Sequence, residues 1–200
     1  MATEDFVFEA GLDEAGRGPL AGPVSAACVI LPPDFPLDIL NDSKKLSEKK
    51  REAAEKIIKE KACYGLAFVE HDEIDRINIL NASMKAMSLA FADMMKKLPA
   101  WCEAHSLKFD GKKISAIADG NKCPELPCPV RCEVKGDAKF PCIMAASIIA
   151  KTARDRIMLD YDKLYPEYGY AGHKGYPTAA HRKICHEIGP SPIQRLSFRY

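Results

Sequence analysis

FVFEAGLDEAGRGPLAGPVSAACVIL (residues 6–31) contains two predicted strands and the glycine-rich turn between them. Apolar residues alternate along its first seven positions, which predicts a strand that ends near Asp13. Residues 22–31 are rich in β-forming side chains and are closed by two prolines, which predicts a second strand. The turn raises a question, because the acids Asp13 and Glu14 repel phosphate whereas the Gly-Arg-Gly sequence at 16–18 is suited to bind it.

Strand and helix patterns alternate along the rest of the chain. Ser47 is a suitable N-cap for a helix that runs to about residue 62. Apolar residues spaced by three and four predict a second helix over 79–98, after which 99–113 is expected to form a loop or a short excursion. The other predicted elements are strands at 63–70, 114–120 and 129–137 and helices at 140–166 and 178–189. No repeat or linker interrupts the sequence, so we expect one α/β domain.

The composition is that of an ordinary globular protein. The 200 residues are 47% hydrophobic and 28% charged, with a net charge of +1. Positive charge that binds phosphate must therefore be local. No segment is long and apolar enough to span a bilayer, and residues 1–10 lack a basic leader. We expect a cytoplasmic protein without membrane contact.

Eight cysteines are scattered through apolar segments. Because nothing marks the chain for export, we expect reduced, mostly buried thiols rather than a disulfide scaffold. Cys123, Cys128 and Cys132 are close in sequence, but they lack the paired spacing and the histidine partner of a zinc site.

Acidic residues lie at the ends of three predicted strands: Asp13 with Glu14, Asp119, and Asp137. Ligands gather at the carboxyl ends of strands in open α/β sheets, and several carboxylates share one place only if a cation offsets their repulsion. Such a set suits two Mg²⁺ or Mn²⁺ ions, which would bridge the acids to a phosphate. Two points stay open. Asp before Gly also suits a tight turn, and Glu14 joins Asp13 only if the strand ends or bulges there.

Two basic segments are candidate phosphate contacts. Ser43, Lys44 and Lys45 follow the second predicted strand. Lys174 and Tyr176 precede the last predicted helix. The alternatives are a solvated basic loop and a tyrosine ring that packs on the core.

Seven motifs, taken in their order along the chain, resemble ribonuclease HII: DEAGRGPLAGPV, DSKKLS, INILNASMKAM, DGNKCP, KGD, AASIIAKTARD and YGYAGHKGYPTAAH. The resemblance covers nearly the whole chain except 99–113. It implies an RNase H-like α/β fold with a mixed central sheet flanked by helices. It also implies a single catalytic domain over 1–200, whose helical part from about residue 160 packs beside the active site.

The implied activity is an endonuclease that cleaves the RNA part of RNA–DNA hybrids. It would also nick duplex DNA on the 5′ side of single embedded ribonucleotides, leaving 3′-hydroxyl and 5′-phosphate ends. Two metal ions would activate water and stabilise the departing oxygen. The implied partners are thus RNA–DNA hybrid and ribonucleotide-containing duplex DNA, and we expect a monomer.

The resemblance also assigns roles to single residues. Four carboxylates would be the catalytic metal ligands: Asp13, Glu14, Asp119 and Asp137. Four residues would read the 2′-hydroxyl of the ribonucleotide: Gly16, Arg17, Gly18 and Tyr176. Four residues would bind phosphates together with the basic C-terminal tail: Ser43, Lys44, Lys45 and Lys174. His173 and His181 lie near this site, although metal-bound water needs no histidine base.

Two other functions stay open. Ribonuclease HIII is a relative that prefers runs of ribonucleotides and usually carries an extra N-terminal domain, whereas only twelve residues precede Asp13. A catalytically silent hybrid-binding protein would have lost acids, but all four expected acids are present. The tail ends at Tyr200 without a segment that resembles a sliding-clamp peptide, so we do not predict that partner.

Overall fold

A computed structural model describes residues 8–41, 43, 46–109 and 113–199, and five strands within these ranges form one mixed sheet. The strands are β1 (Phe8–Ala15), β2 (Val24–Ile30), β3 (Cys63–Val69), β4 (Ile114–Asp119) and β5 (Val130–Glu133). Their order across the sheet is β3-β2-β1-β4-β5. The first three pair antiparallel, whereas β4 and β5 run parallel to β1. The predicted mixed α/β sheet is confirmed.

Helices cover both faces of this sheet. They are α1 (Glu48–Lys61), α2 (His71–Ile77), α3 (Ile79–Ala104), α4 (Pro141–Leu164), α5 (Tyr170–His173) and α6 (Ala179–Ile188). The apolar side of α3 packs on one face, and α1 and α4 pack on the other. All seven residues of β2 are buried, as expected for a strand that is covered on both sides. No helix in the described ranges is long and apolar enough to cross a membrane.

Alternation along β1 places Asp13 beside α4. Phe8, Ala10 and Leu12 belong to the core under α3, so the alternate positions of β1 face α4. One of these is Gly11, where an added Cβ would lie 2.3 Å from the carbonyl carbon of Cys142. Glycine therefore lets α4 approach the strand closely, and Asp13 lies two residues further along the same face.

The expected helix boundaries are confirmed at two capping residues. The Ser47 hydroxyl accepts a hydrogen bond from the Lys50 N–H (3.4 Å) at the start of α1. The Thr178 hydroxyl accepts one from the His181 N–H (3.2 Å) at the start of α6, which ends before Gly189.

The loop predicted over 99–113 is wrong in its first part, because α3 continues through Pro99 to Ala104. Proline removes one backbone donor and normally ends or kinks a helix. Here tertiary contacts offset that cost. Trp101 Nε1 donates to the Lys61 carbonyl (2.9 Å), and Cys102 is buried in the core under α3.

The strand predicted over 129–137 ends early, at Glu133. Its partner β4 ends at the residue opposite Glu133, so the chain has no further strand to pair with. Lys135 then adopts a left-handed conformation with φ 58°, and Gly136–Ala138 forms a 3-10 turn. Asp137 therefore lies in this turn and not at a strand end.

The expectation of reduced thiols is wrong for one pair of cysteines. Cys123 and Cys132 form a disulfide with their Cα atoms 5.5 Å apart. It links the segment after β4 to β5, and these segments become neighbours only through the parallel pairing of the two strands. Five other cysteines are free and buried, as expected: Cys28, Cys63, Cys102, Cys142 and Cys185.

A small separate core joins the C-terminal part of the chain to the segment between β1 and β2. Its buried members are Ala21, Met158, Tyr168, Tyr170 and Ile193. Backbone hydrogen bonds reinforce this packing, from Leu20 N–H to the Gly175 carbonyl (2.8 Å) and from Gly22 N–H to the Ile193 carbonyl (2.9 Å).

Candidate active site

An open cleft of about 220 Å³ lies at the carboxyl end of β1. Two residues of α4, Ser147 and Lys151, border it together with Ala15. Seven of the predicted site residues also border it: Asp13, Glu14, Gly16, Arg17, Gly18, Ser43 and Tyr176. The structure therefore brings the first acidic pair, the glycine turn and the tyrosine to one place.

Asp13 is a buried carboxylate at the floor of this cleft. Burial, and then the nearby charges of Glu14 and Asp119, raise its pKa well above the usual range. A hydrogen bond from Ser147 acts in the opposite direction. The hydroxyl oxygens of Ser43 and Ser147 lie 2.7 Å apart. Either hydroxyl can donate in that contact.

Glu14 lies on the opposite face of β1 and still borders the cleft. Burial raises its pKa, and the Arg17 guanidinium, 3.2 Å from Oε1, lowers it. β1 does not bulge here, because its pairing with β2 is regular through Ala15. Pairing with β4 stops at Leu12, however, so the sheet is open beside Asp13 and Glu14. Side chains from both faces reach that opening.

Asp119 and Asp137 lie next to the cleft and do not border it. Asp119 Oδ1 accepts a hydrogen bond from the Gly136 N–H (2.7 Å), which places the buried Asp137 one residue away. The charge of Asp119 raises the pKa of both Asp13 and Glu14, so the two pairs of acids lie in one region. In the part of the chain that the structure describes, no three His, Cys, Asp or Glu side chains converge closely enough to hold a metal ion.

The Gly-Arg-Gly turn is held from beneath by Arg154, which is fully buried. Gly16 has φ +99°, and an added Cβ there would lie 2.1 Å from Arg154 Nε. Arg154 donates three hydrogen bonds, to the carbonyls of Pro23 (2.9 Å), Ala21 (3.1 Å) and Lys174 (2.9 Å). Burial lowers its pKa to about 10, so it remains charged at neutral pH.

Arg195 holds the same segment from the C-terminal side. It is fully buried and donates four hydrogen bonds, with donor–acceptor distances of 2.7–3.2 Å. The acceptors are the carbonyls of Gly16, Arg17, Pro19 and Gly22. Burial lowers its pKa to about 9. As part of the basic tail it was expected to bind phosphate, but its guanidinium is enclosed by protein.

Tyr176 forms the wall opposite the turn, with 38% of its surface exposed. A Cβ on Gly18 would lie 3.7 Å from the tyrosine Cε1, which is ordinary contact. Two cations lie near the ring: Lys151 Nζ is 5.5 Å and Arg154 Cζ is 5.8 Å from its centroid. Lys151 is also paired with Asp155 Oδ1 at 2.7 Å.

Sequence reasoning missed a face of α4 that contacts every part of the site. Ser147 bonds Asp13, Lys151 borders the cleft, and Arg154 holds the turn. Their spacing of four and three residues is the signal that places them on one helical face.

The four residues predicted to bind phosphate do not share one environment. Ser43 is buried and bonded to Ser147. Lys44 and Lys45 lie outside the described residues. Lys174 Nζ donates to the Ala171 carbonyl at 2.5 Å, and Lys174 does not border the cleft. Phosphate binding by these residues stays a prediction.

His173 and His181 stack at 4.3 Å between ring centroids and support the tyrosine segment from inside. His173 Nδ1 accepts from the Gly175 N–H (3.2 Å), so its Nε2 carries the proton that is donated to the Tyr168 carbonyl (2.9 Å). His181 Nδ1 bonds the Tyr176 carbonyl (3.0 Å). Burial lowers the pKa of both rings, and neither borders the cleft.

Known proteins share both the sequence and this fold. A family model, Ribonuclease HII, matches residues 10–200. Ribonuclease HII of Dechloromonas aromatica is 51% identical over 189 residues, covering 94% of this chain and 89% of the relative. The crystal structure of ribonuclease H2 from Pyrococcus horikoshii OT3 is 25% identical with a TM-score of 0.69, covering 96% of this chain and 94% of that one.

A more distant structure, Bst-RNase HIII in complex with Mn²⁺, has the same fold with a TM-score of 0.67 at 18% identity. It covers 96% of this chain and 67% of that one. Fold and relatives together define a metal-dependent endoribonuclease of the RNase H class. The chain belongs to the ribonuclease HII family, which cleaves RNA in RNA–DNA hybrids.

Proposed function

We propose that this protein nicks duplex DNA on the 5′ side of a single embedded ribonucleotide, leaving 3′-hydroxyl and 5′-phosphate ends. The observation that carries the proposal is the shared cleft: Asp13 and Glu14 border it together with the Gly16–Gly18 turn and Tyr176. A sugar that contacts the turn therefore lies beside the acids, so recognition and cleavage take place at neighbouring positions of one strand.

The donor set fits divalent cations. Asp13 is buried and Glu14 is half-buried, burial and nearby acids raise the pKa of both, and a bound cation would offset both effects. Asp119 and Asp137 would complete the ligands for two ions, Mg²⁺ or Mn²⁺, and the Bst-RNase HIII relative was solved with Mn²⁺. Bound ions would supply an activated water and stabilise the departing oxygen.

Before an ion binds, the carboxylates are held by other partners. Arg17 pairs with Glu14, and the Gly136 N–H occupies Asp119 Oδ1. Ser147 lowers the pKa of Asp13, and its hydroxyl contacts that of Ser43. These contacts hold the acids in the free protein, and a bound cation would take the place of some of them.

Recognition of the ribonucleotide depends on its 2′-hydroxyl, which alone separates it from a deoxynucleotide. The turn offers backbone groups without a bulky side chain at Gly16 and Gly18. Tyr176 presents an exposed ring on which a sugar or base can pack. Lys151 adds a positive charge beside this ring for a phosphate.

The test uses three duplexes: one with a single ribonucleotide, one with a run of four ribonucleotides, and an all-DNA control. Each is incubated with Mg²⁺, with Mn²⁺ or with EDTA, and end-labelled products are mapped. We expect a nick 5′ of the single ribonucleotide with either ion and none on DNA or in EDTA. Cleavage of the run alone would support the ribonuclease HIII-like alternative, and binding without nicking would support the silent hybrid-binding alternative.

A cytoplasmic location, a monomeric state and the lack of a sliding-clamp partner stay sequence-based predictions, as does a single domain over residues 1–200. Sedimentation of the free protein and of its mixture with a sliding clamp measures two of these directly.

A further inference from the structure

The segment from Gly16 to Pro23, here called the reading loop, is attached to the protein through its carbonyl groups. Six of its eight carbonyls accept hydrogen bonds from the side chains of Arg154 and Arg195. The Arg195 backbone N–H also donates to the Leu20 carbonyl (2.8 Å). The two guanidinium groups therefore replace the strand or helix that normally satisfies a backbone segment.

This attachment fixes the direction of the opposite backbone groups. The carbonyls of Gly16 and Arg17 point at Arg195. Because a peptide unit is planar and trans, the N–H of the next residue points the other way. The N–H groups of Arg17 and Gly18 are thus directed away from Arg195, and both residues border the cleft. Among the described residues, neither N–H has a protein acceptor.

The burial of two guanidinium groups is an unfavourable way to stabilise a fold. Burying a guanidinium is unfavourable, and well-packed apolar side chains of similar volume often stabilise a protein as much or more. Here two such charges lie close enough for Arg154 to lower the pKa of Arg195. A pair of apolar side chains could not supply this array of donors, which fixes the orientation of each of six carbonyls.

We propose that Arg195 and Arg154 are positioning residues that set the selectivity for a ribonucleotide, by holding the Arg17 and Gly18 N–H groups ready for its sugar and phosphate oxygens. Arg195 orients the start of the reading loop. Arg154 joins its end to the Lys174 carbonyl, two residues before Tyr176, so the turn and the tyrosine keep a fixed separation. The inference rests on the proposed function.

Arg195→Lys is the sharpest test, because it keeps the charge and most of the volume. One ammonium cannot reach four carbonyls that surround a planar fork. Binding is measured in EDTA, which prevents hydrolysis, to the duplex with one ribonucleotide and to the all-DNA duplex. We expect the affinity ratio between the two to fall about tenfold, the loss of one or two oriented hydrogen bonds. The affinity for all-DNA duplex should stay within about twofold.

Arg156→Lys is the matched control. Arg156 lies on α4 two residues after Arg154, and its guanidinium pairs with Glu55, away from the reading loop. We expect this variant to keep the wild-type ratio. An unchanged ratio in folded Arg195→Lys, or an equal loss of affinity for both duplexes, would overturn the positioning role.

Hydrogen exchange on the substrate-free proteins gives a second readout. In Arg195→Lys and in Arg154→Lys, peptides from the reading loop should exchange faster while peptides from α3 keep their protection. Faster exchange everywhere would show a general structural role and would overturn the inference. If the wild type itself binds both duplexes equally, the proposed function fails, and the exchange data still decide whether the arginines hold the loop.

Discussion

The acids on one side of the cleft and the reading loop on the other differ in how their charges are compensated. Asp13 and Glu14 lie near Asp119, and burial and repulsion raise their pKa values. Arg154 and Arg195 are equally buried, but backbone carbonyls surround them. The charges on the acidic side would therefore be fully compensated only by a bound ligand. The charges on the loop side already have their hydrogen-bond partners in the free protein. The free protein thus leaves repulsion among the acids, whereas it supplies hydrogen-bond acceptors for the buried guanidinium groups.

On the acidic side, Asp13→Asn should have the largest effect of the changes proposed here, a loss of nicking. It removes a carboxylate that we propose as a metal ligand and keeps the side-chain shape. We expect nicking of the single-ribonucleotide duplex to fall by about 10³-fold or more, with binding in EDTA largely retained. Single-turnover rates with saturating Mg²⁺ provide the measurement. Glu9→Gln, on the same strand but paired with exposed Arg131, is the control and should stay active.

The same variant should be more stable than the wild type when no divalent ion is present. A carboxyl group with a raised pKa in the folded state stabilises the protein at low pH, and this contribution disappears as the pH rises through that pKa. At pH 7 in EDTA the Asp13 carboxylate thus lowers the free energy of unfolding, and its removal should raise it by about 1 kcal/mol. A less stable Asp13→Asn protein under these conditions would contradict our description of the acidic side.

On the loop side, Gly16→Ala should destabilise the folded protein. Its φ of +99° is unfavourable for alanine, and the new Cβ would overlap Arg154, which three hydrogen bonds hold in place. We expect the free energy of unfolding to fall by about 2 kcal/mol. Gly18→Ala is a matched control, because its Cβ would make only ordinary contact with Tyr176. Equal urea midpoints for the two variants would show that the loop is not rigidly held.

The smallest expected effect concerns pH and the histidine stack under Tyr176. Burial lowers the pKa of His173 and His181, so the unfolded chain takes up protons at a higher pH than the native protein does. Stability is thus full above the ordinary histidine pKa and falls as the pH drops through the lowered values. Between pH 7.5 and 5.5 we expect a loss on the order of 1 kcal/mol, measured by urea unfolding.

His181→Gln should reduce this pH dependence, while His186→Gln, at an exposed position of the same helix, should not. The same pH dependence in both variants would assign the effect to groups outside the stack.

Local sequence signals predicted the elements that depend on local chemistry. Alternation located β1, the cap at Ser47 located the start of α1, and the last helix was predicted to begin near Thr178, where its cap is found. The extension of α3 past Pro99 was not predictable, because it depends on a contact between Trp101 and the Lys61 carbonyl, forty residues apart in the chain. Tertiary contacts overruled the local signal there.

For the site, sequence reasoning found the groups at the cleft surface and missed those beneath it. Asp13 and Tyr176 are in motifs whose chemistry is visible from residue type. Arg154 and Arg195 are not, because a buried arginine is rare and a basic tail normally predicts an exposed, phosphate-binding segment. The disulfide between Cys123 and Cys132 depends on the register of β4 and β5, which spacing along the chain does not reveal.

The face of α4 that carries Ser147, Lys151 and Arg154 has a geometric consequence. Seven residues of α-helix rise about 10 Å, and a helix neither stretches nor compresses appreciably. This face therefore fixes the separation between Asp13, beside Ser147, and the reading loop that Arg154 holds. Under the proposed function, this fixed distance would separate the scissile phosphate at the acids from the sugar at the reading loop.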